Sequence, residues 1–215
     1  MSDLQRVGTS YGPTGTGQPF SSDTTGAQRI TDAHGRYWDL VRTGNAYALS
    51  ARNLTLAAGQ GYAQAANATI NFAFWNPQNS NRLLSLMKFS FATISGTPAA
   101  GEVNLQISAG NVITSTANGV HVNLFTGQIV GSSAKSWVKT TAAAIAGTVA
   151  FTDLRPVFAQ TATAAANPVS TICTEIIDGE IVLQPGMAFT FGVAGAGTSH
   201  VASVGLMWEE IPLLV

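Results

Sequence analysis

The chain has 215 residues, of which ten are basic and eleven acidic, for a net charge of -1. The charged fraction is 10%, against about 25% in ordinary soluble domains. The balance and the absence of any basic cluster exclude a phosphate-tracking nucleic-acid face. The apolar content of 46% excludes intrinsic disorder.

A single cysteine, Cys173, rules out an internal disulfide and reads as a small buried apolar residue. The opening MSDLQRVGTSYGPTG has no apolar h-region, so no secretory signal is expected. No run reaches the roughly 18 apolar residues of a membrane helix.

Residues 1–45 read as an extended N-terminal arm. Gly8, Gly12, Pro13, Gly15, Gly17, Pro19 and Gly26 punctuate it, and neither helical nor strand periodicity survives. Such a segment cannot offset an ordering cost of about 1–2 kcal/mol per residue by itself. Its own domain, a sister subunit or another protein must hold it. Tyr11, Phe20, Ile30, Tyr37 and Trp38 are the expected anchors.

From residue 46 to 215 the text is β. Runs at 46–50 and 52–57 open the domain. In 68–75 (ATINFAFW), Ile70, Phe72 and Phe74 are assigned to one face and Asn71, Ala73 and Trp75 to the other. The run 82–94 favours a central strand through its FSFATI tail. In 102–109, Val103, Leu105 and Ile107 point inward while Glu102, Asn104, Gln106 and Ser108 point out. Further strands are expected at 120–125, 136–140, 171–177, 180–183, 187–194 and 200–211. Asn76-Pro77, Asp178-Gly179 and Gln184-Pro185-Gly186 supply turns. The Ala-rich stretches 140–146 and 161–166 are too short for helices without tertiary help. Eight to ten short strands indicate an all-β sandwich or barrel. The expected core is Phe72, Phe74, Leu84, Leu86, Val103, Leu105, Ile107, Phe189, Phe191 and Val204.

No catalytic or metal motif emerges, so no enzyme, cofactor or metal is expected. His34, His121 and His200 are far apart and read as surface or strand histidines. Glu209 and Glu210 are adjacent in a strand and face opposite ways, so they cannot act as a close acid/base pair. Trp75, Trp137 and Trp208 read as packing residues, with sugar stacking as the competing reading.

Four segments carry a resemblance: RYWDLVRTGNAYALSA, FAFWNPQNSNRLLSLMKFSFATISGTP, DGEIVLQPGMAFTFGVAG and the closing VASVGLMWEEIP. Together, over residues 36–212, they resemble small tailed-bacteriophage structural proteins of the capsid-decoration (cement) or fibre type. The resemblance implies a jelly-roll antiparallel sandwich, a homotrimer and a non-enzymatic virion component. It implies manufacture in the host bacterial cytoplasm and a place on the capsid exterior. On that reading the arm engages the major capsid protein or a sister subunit, through Tyr11, Phe20, Tyr37 and Trp38. Arg29, Arg36 and Arg42 would pair with acidic residues there. The alternative is a fibre or spike head binding host-surface glycans through loops at 76–82, 110–119 and 158–170.

Overall fold

The computed structural model describes residues 9–11, 17–19, 37–56, 69–97, 100–110, 112–129, 131–160, 172–194 and 200–213. The chain divides into two units, residues 1–38 and 39–215. In the first, β1 (Thr9–Tyr11) pairs antiparallel with β2 (Gly17–Pro19). A one-turn helix, α1 (Trp38–Arg42), spans the division.

The second unit opens with β3 (Ala46–Thr55), β4 (Thr69–Trp75), β5 (Arg82–Ser95) and β6 (Gly101–Ser108). The short β7 (Val112–Ile113) and β8 (His121–Asn123) precede β9 (Lys135–Ala144), β10 (Gly147–Thr148) and β11 (Thr152–Gln160). Then come β12 (Ile172–Ile176), β13 (Val182–Leu183), β14 (Ala188–Val193) and β15 (Val201–Pro212).

Eight of these strands alternate between two sheets. One runs β3-β15-β5-β12 and the other β4-β14-β6-β11. This interleaved order is that of a jelly roll. β9 extends the second sheet beyond β4, and one parallel pairing, Thr55 with Thr141, links it to β3. The sandwich is therefore nearly closed on that side. On the opposite side no backbone pairing joins β11 to β12 among the described residues. Side chains bridge that seam instead. Arg155 bonds Glu175 at 2.8 Å and Glu180 at 2.7 Å, and the Cys173 thiol donates to the Val157 carbonyl at 3.4 Å. Cys173 is thus half-buried and polar-bonded rather than a buried core residue.

The core lies between the sheets because alternate residues of each strand face inward. On β15 the inward set is Ala202, Val204, Leu206, Trp208 and Glu210. Aromatic rings fill the middle: Phe191 sits 5.8 Å from Phe91 and 6.1 Å from both Phe72 and Phe89, centroid to centroid. The expected core residues are all buried except Ile107, which is half-buried against the same cluster.

Several expectations are corrected. The outer face of the second sheet is not a wet face. Ile70, Ala73, Trp75, Trp137, Ile145, Val149, Phe151 and Ala188 form a second apolar cluster. Ile70 belongs to it rather than to the Phe72–Phe74 face, since the pairing register shifts between Ile70 and Phe72. Asn104, Gln106 and Ser108, expected outside, are likewise buried. The runs expected at 46–50 and 52–57 are replaced by one strand, β3 (Ala46–Thr55), interrupted by a bulge; residue 57 lies outside the described residues. Between the pairs Ala51–Val204 and Leu54–Ala202, β3 has two residues where β15 has one, and Asn53 takes φ 56°. Residues 140–144 belong to β9, while 161–166 lie outside the described residues. Asp178-Gly179 does form a tight turn, with φ of 50° and 83°, but β12 and β13 do not pair with each other. Both lie along β5, one after the other.

Candidate functional site: a buried serine–histidine–glutamate network

Period-two alternation on β15 carries Glu210 to the same buried face as Trp208. A carboxylate placed there must be surrounded by donors. The segment before β9 provides them. The Ser133 amide donates to both Glu210 oxygens, at 2.9 and 3.1 Å, and the Ser132 hydroxyl donates to Oε1 at 2.8 Å. The Ser133 hydroxyl donates to Oε2. The Ala134 amide and the Trp208 indole N–H add longer contacts of 3.4 Å. Glu209, its neighbour, faces the other way as expected, and burial raises its pKa.

The network continues through His121 on β8. Nδ1 lies 3.1 Å from the Ser132 hydroxyl oxygen and Nε2 lies 2.7 Å from that of Ser136. Ser132 gives its one proton to Glu210, so its oxygen accepts from Nδ1–H. That assigns the tautomer: Nδ1 is protonated and Nε2 carries a lone pair. Ser136 then donates its hydroxyl proton to Nε2. Burial pushes the His121 pKa down to about 4; the nearby Glu210 charge opposes this and Lys135 adds to it. The ring is therefore neutral at pH 7. It stands edge-on to Trp208, at 5.0 Å and 81°.

Asn123, two residues on, shapes the adjoining turn. Its side-chain oxygen accepts from the amides of Phe125 and Thr126 at 3.0 and 3.1 Å, and its amide donates to the Gly44 carbonyl at 2.6 Å. A cavity of about 230 Å³ opens beside His121, lined by Gly119, Ile129, Ser132, Lys135 and Ser136 among others. Among the described residues no group of three His, Cys, Asp or Glu side chains is placed to hold a metal ion.

Nothing in the sequence motifs pointed to this cluster, whose members come from three separate segments. One signal was available: a Glu two residues beyond Trp208 on an alternating strand lands inside. Of the histidines expected at the surface or in strands, His121 lies in β8 and His200 directly precedes β15. His200 is buried, with Nε2 3.1 Å from the Thr93 hydroxyl, and burial lowers its pKa. His34 lies outside the described residues. The three tryptophans Trp75, Trp137 and Trp208 are all buried, which removes them as a sugar-stacking surface.

Of the expected contact residues, Tyr11 ends β1, Tyr37 stands in a turn, and Trp38 and Arg42 open and close α1. Phe20, Arg29 and Arg36 lie outside the described residues. Two of the sequence segments singled out above meet in space. Asn76 of Trp75-Asn76-Pro77 bonds the Leu183 carbonyl at 2.9 Å, accepts from the Gly186 amide at 2.9 Å and donates its own amide to Met187 at 2.9 Å. Gly186 adopts φ 86° there, a conformation that glycine takes without strain. These segments thus act as a structural clamp at one end of the sandwich.

Comparison with known protein families, curated proteins and solved structures finds no match to this chain. Among the described residues, no helix is long and apolar enough to cross a membrane.

Proposed function

We propose that the chain is a structural subunit of a virus particle, a decoration or cement subunit of a tailed-phage head, acting as a homotrimer. The jelly roll supports this by analogy of fold, since viral shell domains share that architecture. The observation that carries the reading is a surface short of charge combined with apolar side chains turned outward at the end of a sheet. On β12, Ile172 is 72% and Ile176 is 53% exposed. With only 21 charged residues in 215, broad contact with neighbours costs little in desolvated charge. A polar but neutral surface also suits wet, hydrogen-bonded interfaces.

On this reading residues 1–45 reach the major capsid protein or a sister subunit. Ordering the arm on that neighbour adds contact area and fixes register. The test is co-sedimentation with undecorated heads. The full chain is expected to bind at a copy number near that of the shell protein. A chain lacking residues 2–28 is expected to keep its fold and lose binding. Undiminished binding by the truncated chain would remove the arm from the account.

A further inference from the structure

We infer that Ser136 is a nucleophile activated by His121, and that the cavity beside them takes a small acyl ester. This is separate from the assembly role. Nucleophilic serine sites share one physical arrangement: a hydroxyl bonded to a base whose far side is fixed by a third group. Here the Ser136 hydroxyl lies 2.7 Å from His121 Nε2. Nδ1 is fixed at 3.1 Å by Ser132, which is itself bonded at 2.8 Å to Glu210. The carboxylate acts on the imidazole through one intervening hydroxyl. Its oxygens are held by backbone and side-chain donors, so Ser132 is not free to turn its proton toward His121.

The cavity sets the substrate class. Its volume of about 230 Å³ admits only a small ester, and its wall is mostly polar, with Ala117 and Ile129 among the apolar side chains beside Ser132, Lys135 and Ser136. Among the described residues Lys135 is the one lysine or arginine lining it. Gly119 limits what reaches the hydroxyl: a Cβ at that position would lie 1.8 Å from Ser136 Oγ. Ser136 is accordingly 1% exposed. The amides of Asn118 and Gly119 both donate to the Ser136 carbonyl, at 3.0 and 3.1 Å. Acylation must wait for this segment to part, so the reaction is slow and confined to small acyl groups.

The step balances with water alone as co-reactant. Ser136 Oγ attacks the ester carbonyl carbon while its proton passes to Nε2. The ester C–O bond breaks and the departing alkoxide takes that proton. Water then attacks the acyl-serine, its proton passing to Nε2 and on to Ser136 Oγ, and a carboxylic acid leaves.

The experiment treats the full-length chain with p-nitrophenyl acetate and, separately, with a small alkyl fluorophosphonate, and maps adducts by peptide mass spectrometry. The expected result is one adduct on Ser136, formed slowly, with a rate that rises as His121 loses its proton and is level by neutral pH. Ser136→Ala abolishes the adduct, and His121→Gln lowers its rate roughly 100-fold or more. Ser132→Ala keeps the nucleophile but slows the reaction by releasing the tautomer. Mapping on the unsubstituted chain locates the adduct whether or not a variant folds. No adduct on Ser136, an adduct elsewhere only, or an unchanged rate in a folded Ser132→Ala protein would overturn the inference.

Discussion

Replacing Glu210 with alanine tests whether its carboxylate holds the segment before β9 onto the sandwich. Glu210 is 2% exposed, and the amides of Ser133 and Ala134 and the Trp208 indole all point at it. Removing the acceptor leaves these donors without their protein partner. The hydroxyls of Ser132 and Ser133 lie in partly exposed residues and recover water, so the loss falls mainly on the amides. At about 1–3 kcal/mol for each buried donor left unmade, the expected cost is about 3–5 kcal/mol. For a domain of this size that lowers the melting temperature by roughly 6–20 °C. Glu210→Gln keeps one acceptor oxygen but turns an NH₂ toward other donors, so it is expected to cost about 1–3 kcal/mol. Urea unfolding followed by tryptophan fluorescence reads both variants, and hydrogen exchange at residues 132–134 localises the effect. A Glu210→Ala protein within about 1 kcal/mol of the parent, with unchanged exchange there, would refute the reasoning.

Phe191→Ala removes the ring at the centre of the aromatic cluster, which is fully buried, and is expected to cost about 3–5 kcal/mol by equilibrium unfolding. Arg155→Met is expected to cost under about 1 kcal/mol, because the ion pairs across the β11–β12 seam reach solvent; thermal melts check this. Stability is expected to rise with pH between about 4 and 6.5. The folded His121 stays neutral down to about 4, whereas the unfolded ring takes a proton below about 6.5, so the unfolded state binds more protons in that window. The contribution of His121 is at most about 3 kcal/mol, reduced by the solvent that reaches its ring. His200 adds to it in the same direction, whereas Glu209, whose pKa burial raises, opposes it above about 4.5. His121→Gln should flatten the pH dependence measured by urea titration, and an unchanged slope would count against the burial argument.

The strands that were legible are those whose two faces differ or whose composition is aromatic and β-branched: β4, β5, β6, β14 and β15. β11 escaped because Pro156 breaks its pattern, and proline is tolerated there because the strand lies at the end of its sheet. The alternation in β6 gave its inner face correctly and its outer face wrongly. Period two tells which residues share a side, not whether that side is dry, and Gln106 is buried while bonding Asp153 at 2.6 Å. The same limit applies to β4, where a register shift moves Ile70 to the second cluster. The His121 network was not legible as a motif because the jelly-roll crossovers, not local spacing, bring β8, the start of β9 and the end of β15 together. Only the placement of Glu210 could be read locally, from its distance to Trp208 along one strand.

Native mass spectrometry of the full-length chain, over a micromolar concentration series, tests the central claim most directly. The account predicts a trimer persisting through dilution. A chain that remains a stable monomer throughout the series would contradict it.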